Sequence, residues 1–66
     1  MNNFEQDLLP SHRQKRILEI LREKKAVSVA YLSRTMYINE ATVRRDLNAL
    51  SKSGAVTRTY GGAVLN

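Results

Sequence analysis

The sequence contains no cysteine, so neither a disulfide framework nor a thiolate metal site holds a chain of this size together. It has a single histidine, His12. With no second ligand or nucleophile in sight and no paired carboxylates, the residue types for a catalytic constellation are missing, and the reading is of a non-enzyme without metal or cofactor. No apolar run approaches the roughly 18 residues of a membrane span, and the opening "MNNFEQDLLP" lacks the basic start and apolar stretch of a secretory signal. The expectation is a cytoplasmic location with no membrane partner.

What is present is a chain of 66 residues with 42% hydrophobic content, too apolar for a disordered tail. A domain near this size buries only about 60% of the surface its unfolded chain exposes, so a few short elements around one core are all it can hold. Lys and Arg number 11 against 6 for Asp and Glu, a formal net charge of +5. That balance favours a polyanionic partner. Six of the basic residues lie in "HRQKRILEILREKK" at Arg13, Lys15, Arg16, Arg22, Lys24 and Lys25. A solvated helix face explains such a run as well as binding does.

Ser11 with Gln14 three residues on fits a capping box, and Pro10 disfavours helical geometry at Leu9. Residues 1–10 are therefore expected to be a flexible tail, with a helix running from Ser11 to about Lys25. Its apolar positions Ile17, Ile20 and Leu21 share one face, with Leu18 at the edge toward a neighbouring element. Ala26 and Val27 permit a short strand. Ser28 caps a second helix from about Val29 to Met36, whose inward residues are Val29, Leu32 and Met36. "YIN" is a short break in which Ile38 plugs the gap between helices and Asn39 caps a third helix. That helix ends at Gly54, where the chain turns out in a left-handed conformation.

Projected at 100° per residue, Val43, Leu47 and Leu50 form the buried stripe of the third helix. Ala41, Arg45, Asn48 and Lys52 lie opposite, with Thr42 and Arg44 on the flanks. This outer face has hydrogen-bonding groups and no bulky apolar residue. A helix entering a DNA major groove needs such a face, since Arg reads guanine bidentately and Asn can read adenine. Asp46 projects close to the buried stripe and has the wrong sign for a phosphate contact, so it reads as an internal partner that positions an arginine or the following loop. Beyond Gly54, Val56 to Tyr60 alternates as a strand, "GG" permits a tight turn, and Ala63 to Leu65 returns beside it. A hairpin after a helix-turn-helix is a wing. Arg58, Tyr60, Gly61 and Gly62 then supply a cation and backbone amides at its tip, suited to phosphate or minor-groove contact. The strand at Ala26 to Ser28 can complete a three-stranded sheet.

The expected fold is thus mainly α with small β: a winged helix-turn-helix over 11–65, with the helix-turn-helix at about 29–48 and the wing at about 55–65. Arg13, Ile17 and Leu21, then "ATVRRDL" at 41–47 and "RTYGGA" at 58–63, resemble the N-terminal winged helix-turn-helix of the DeoR family of bacterial transcriptional regulators. Asn39 stands where the family often has serine, Tyr37 where glycine is frequent, and Tyr60 where histidine is common. The resemblance implies sequence-specific binding of double-stranded DNA and a tendency to repress sugar or related metabolite genes. It also implies a C-terminal effector domain in a longer form, in which homo-oligomers assemble. A winged-helix protein-interaction module is the alternative; it requires an exposed apolar patch on the third helix, and the sequence shows none.

Overall fold

The computed structural model describes residues 9–66. Among the described residues, three helices and three strands follow one another in the order α1 (Pro10–Lys24), β1 (Ala26–Ser28), α2 (Val29–Met36), α3 (Glu40–Lys52), β2 (Val56–Thr59) and β3 (Gly62–Leu65). Of the tail expected over residues 1–10, residues 1–8 lie outside the described residues.

The start of α1 differs from the sequence expectation. Leu9, in extended geometry, occupies the N-cap without a side-chain cap, and Pro10 sits at the first helical position. Pro there has no N–H to leave unsatisfied, and its fixed φ already suits the helix. Ser11 is therefore inside the helix, and Gln14 turns its amide to a residue of α3 rather than back along α1. At the other end Lys25 takes φ 72° and its N–H donates to Leu21 O at 2.7 Å. This single left-handed residue turns the chain from helix directly into strand.

The helix-turn-helix forms as its caps dictate. Ser28 accepts from the Tyr31 N–H at 2.9 Å, and Asn39 Oδ1 accepts from the Thr42 N–H at 2.8 Å, each satisfying an N–H that the first helical turn leaves unpaired. Between the two helices Tyr37 adopts φ 58° and ψ 43°, a left-handed geometry that costs a non-glycine residue about 1 kcal/mol. Ser33 closes the turn from below, its hydroxyl donating to Ile38 O at 2.5 Å. Ile38 packs against the core as a partly buried plug.

The core draws on every layer. Ile17 and Leu21 of α1, Val29 and Leu32 of α2, and Val43, Leu47 and Leu50 of α3 are buried together with Val56 and Ala63 of the sheet. Leu18, Ile20 and Met36 pack around this cluster as partly buried residues.

The sheet has the order β1-β3-β2, all antiparallel, so the last strand lies in the middle. Register pairs Ser28 and Thr59 with Gly62 from the two sides. The two glycines of "GG" do different work. Gly61 is exposed, and a Cβ on it would meet nothing within 4 Å. Gly62 is buried, and a Cβ there would lie 1.9 Å from Val27 O and 2.8 Å from Ser28 Cα. Close approach of β3 to β1 therefore requires glycine at 62. The wing turn is also tied to α2, since the Val29 N–H donates to Gly61 O at 2.8 Å.

This asymmetry gives a paired expectation. Gly62→Ala should destabilise the domain by about 1–3 kcal/mol, the usual cost of overpacking a close-packed site, while Gly61→Ala should change stability by less than about 0.5 kcal/mol. Urea unfolding followed by circular dichroism measures both, and equal midpoints for the two variants would contradict the close approach.

Candidate nucleic-acid interface

The outer face of α3 is set by what its inner face buries. Val43, Leu47 and Leu50 point into the core, which turns Ala41, Arg44, Arg45, Asn48, Ala49 and Lys52 outward, all exposed. Asp46 is the exception among the charged residues of this helix: it is only 2% exposed. Arg13 of α1 reaches it with two parallel bonds, Nε to Oδ2 at 2.7 Å and Nη2 to Oδ1 at 3.1 Å. Gln14 Nε2 adds a third donor to Oδ1 at 3.4 Å. The fork of a guanidinium matches a carboxylate in this manner, and the pairing is stronger than a neutral hydrogen bond. The hydrogen bond to Asp46 raises the Arg13 pKa above its ordinary value, opposed by burial and aided by the charge of Asp46. The one negative charge in "VRRDL" is thereby neutralised inside the domain.

Asp46 thus positions an arginine, as its place beside the buried stripe implies, and that arginine is Arg13, 33 residues away. Neither of its neighbours Arg44 and Arg45 pairs with it. Arg44 Nη2 instead meets Glu40 Oε1 at 2.9 Å, with both side chains about half exposed. An exposed pair of this spacing contributes only about 0.3–0.5 kcal/mol, so Arg44 is readily released to a stronger anion. Arg45 makes no ion pair and no side-chain hydrogen bond among the described residues. Its guanidinium stands open on the outer face.

The remaining candidates divide between the helix and the wing. Thr42 is half-buried on the flank. Asn39 remains at the N-cap with its side chain committed to the backbone of Thr42. Asn48 Oδ1 accepts from Arg58 Nη1 at 2.5 Å, and Arg58 Nε donates to Gly62 O at 3.0 Å. The structure thus brings Asn48 and Arg58 together, joining α3 to the wing. Tyr60 at the turn is fully exposed, Gly61 beside it is exposed, and Gly62 is buried beneath them. Among the described residues no group of His, Cys, Asp and Glu is placed to hold a metal ion, and no helix is long and apolar enough to cross a membrane.

A helix-turn-helix whose second helix exposes arginines, flanked by a two-stranded wing, is the arrangement in which comparison with known proteins is informative. The DeoR-like helix-turn-helix domain matches residues 13–66. The chain belongs to this family. Among its relatives, the HTH-type transcriptional regulator GolR of Listeria innocua is 38% identical over 58 residues, which is 88% of this chain and 23% of that protein. The transcriptional repressor AccR of Agrobacterium fabrum is 42% identical over 52 residues, covering 79% of this chain and 20% of the relative. A putative galactitol utilization operon repressor of Escherichia coli is 38% identical over 63 residues, covering 96% and 50%. No solved structure matches the chain. The relatives are transcriptional regulators, and this DeoR-like chain is a DNA-binding helix-turn-helix domain of their kind rather than an enzyme. It spans about a quarter of the length of the first of them.

Within the DeoR-like domain, the Arg13 to Asp46 pair is expected to be the most costly polar contact to break. Asp46→Ala removes the carboxylate that accepts two donors from Arg13 and one from Gln14, and loss of hydrogen bonds to a charged group should cost about 1.5–3 kcal/mol. Asp46→Asn retains one acceptor and should lose less. Thermal and urea unfolding of the two variants tests this order, and a stability unchanged by Asp46→Ala would show that the pair holds nothing together.

Proposed function

We propose that this domain reads a specific sequence of double-stranded DNA, with α3 in the major groove and the wing against the backbone or minor groove. It serves as the DNA-reading part of a cytoplasmic bacterial transcriptional regulator, a repressor of genes for a sugar or related metabolite. The observation that carries the reading is the outer face of α3: among the described residues Arg45 has no side-chain partner, Arg44 is held only by the exposed Glu40, and Asp46 is paired internally with Arg13. Thr42, Arg44, Arg45 and Asn48 form the reading set, and Arg58, Tyr60, Gly61 and Gly62 the wing set. Asn39 and Asp46 support them by capping α3 and by docking it on α1.

A guanidinium with no internal partner has all its donors available for guanine N7 and O6. Repression and the sugar link are supported by relatives named as repressors, one of them of a galactitol utilization operon. Homo-oligomers on repeated half-sites are then a property of a longer form carrying an effector domain, and one domain on one half-site lacks that avidity. A protein-docking role for α3 is disfavoured because the exposed large apolar residues among those described are Leu9, Tyr37 and Tyr60, none of them on this helix.

Two measurements test the proposal. If about four to six phosphates are neutralised, log affinity should fall against log salt with a slope of roughly −4 to −5; a slope near zero would remove nucleic acid as the partner. On the preferred duplex Arg45→Ala should lose about 1–3 kcal/mol while hardly changing affinity for a scrambled one. Arg45→Lys keeps the charge without the planar fork, so it should also lose affinity on the preferred site. Equal losses on both duplexes for Arg45→Ala, or none for Arg45→Lys, would sink the base-reading role of this arginine.

A further inference from the structure

The contact between Asn48 and Arg58 fixes which end of the Asn48 amide faces outward. A guanidinium carries donors only, so the atom meeting Arg58 Nη1 at 2.5 Å is the amide oxygen Oδ1. The amide nitrogen, with its two N–H groups, is the end left available, and it donates to no group among the described residues. Arg58 is itself held, since its Nε donates to the carbonyl of Gly62, and Gly62 is locked in the sheet by its approach to Val27 and Ser28. Asn48 therefore meets a fixed donor on its oxygen side.

Bidentate reading of adenine needs both ends of an amide: the oxygen accepts from N6–H and the nitrogen donates to N7. Arg58 uses one of the two lone pairs of Oδ1, and its positive charge beside that oxygen repels a second donor, so acceptance from adenine N6–H is weakened while both N–H groups of the amide keep their full capacity. What suits two N–H donors is an acceptor edge, N7 and O6 of guanine or O4 of thymine, whereas cytosine offers the N4 donor. We propose that Arg58 is a positioning residue that biases Asn48 toward donating, so that the base facing Asn48 is selected as guanine or thymine over adenine or cytosine. The inference rests on α3 being the base-reading helix. The donors of Arg58 not used by Asn48 and Gly62 remain available to a phosphate, so a positioning role and a backbone contact coexist in one side chain.

Selection of bound duplexes from a randomised pool tests this with the 66-residue chain and with its Asn48→Ala and Arg58→Met variants. Methionine keeps the apolar stem of the half-buried Arg58 and removes every donor. The position read by Asn48 is the one whose preference disappears in Asn48→Ala; there the original chain should select guanine or thymine, and Arg58→Met should shift selection toward adenine by roughly tenfold. Weaker binding of all duplexes by Arg58→Met with the preference unchanged would overturn the proposal, because loss of a phosphate contact or of sheet stability does no more than that. Adenine selected by the original chain at that position would overturn it as well. If the methionine variant is unfolded by circular dichroism, Asn48→Asp decides: its carboxylate still accepts from Arg58, has no donor, and should exchange guanine or thymine for cytosine, and retention of the original preference would refute the assignment. Preferences that Asn48→Ala leaves untouched at every position defeat this inference while leaving the role of α3 standing. No preference at all in the original chain defeats the role of α3 and this inference with it.

Discussion

The forked pair between Arg13 and Asp46 is the constraint on which the presentation of α3 depends. It joins the first helix to the third across a separation of 33 residues, and it sits at the edge of a core small enough that a few contacts decide how α3 is rotated. Rotation matters because residues on a helix advance by about 100° each, so a turn of one position would bury Arg45 or expose Leu47. Apolar packing of Val43, Leu47 and Leu50 sets the approximate rotation, but hydrophobic burial is non-directional. Two hydrogen bonds from a planar group to a planar group add the direction.

The sheet performs the corresponding task for the wing. β3 is the last strand in sequence and the middle one in space, paired with β1 on one side and β2 on the other, so the hairpin is anchored through β3 to the strand that follows α1. β1, the strand that follows α1 in the chain, is just three residues long, and its close approach to β3 is permitted by the absence of a side chain at Gly62. Because Gly62 also offers its carbonyl to Arg58, the packing that closes the sheet is the same packing that steadies the cation reaching Asn48. The fold and the proposed recognition surface share atoms here.

Much of this was legible in the sequence because it follows from local rules. Ser28 and Asn39 precede apolar periodic segments and cap them as such residues do; the buried stripe of α3 follows from the spacing of Val43, Leu47 and Leu50; and β-branched alternation followed by "GG" marks a hairpin. The start of α1 departs from the sequence expectation because two local signals compete there: a capping box at Ser11 and a proline at the favoured first helical position, and the proline prevails. The wing glycines looked alike in sequence. Only the neighbouring strand distinguishes them, and strand proximity is not a local property. The same holds for polar partners: the position of Asp46 beside the buried stripe announced an internal partner, whereas its identity as Arg13 depends on how α1 crosses α3. That Arg58 would reach Asn48, 10 residues away on another element, left no mark in either local pattern.

These long-range pairings also account for the two adjacent arginines of α3 having different neighbours. Helical geometry puts Arg44 one turn beyond Glu40, close enough for an exposed ion pair that costs little to break. Arg45, one residue later, points away from Glu40, and Asp46 is already saturated by Arg13 and Gln14. If Asp46 were free, it would draw cations of α3 inward and lower the positive potential at the helix surface. Supplying that carboxylate with donors from α1 removes the competition, so the charge of Arg45 stays exposed at the helix surface. The domain thus spends the first helix's arginine to keep the third helix's arginine open.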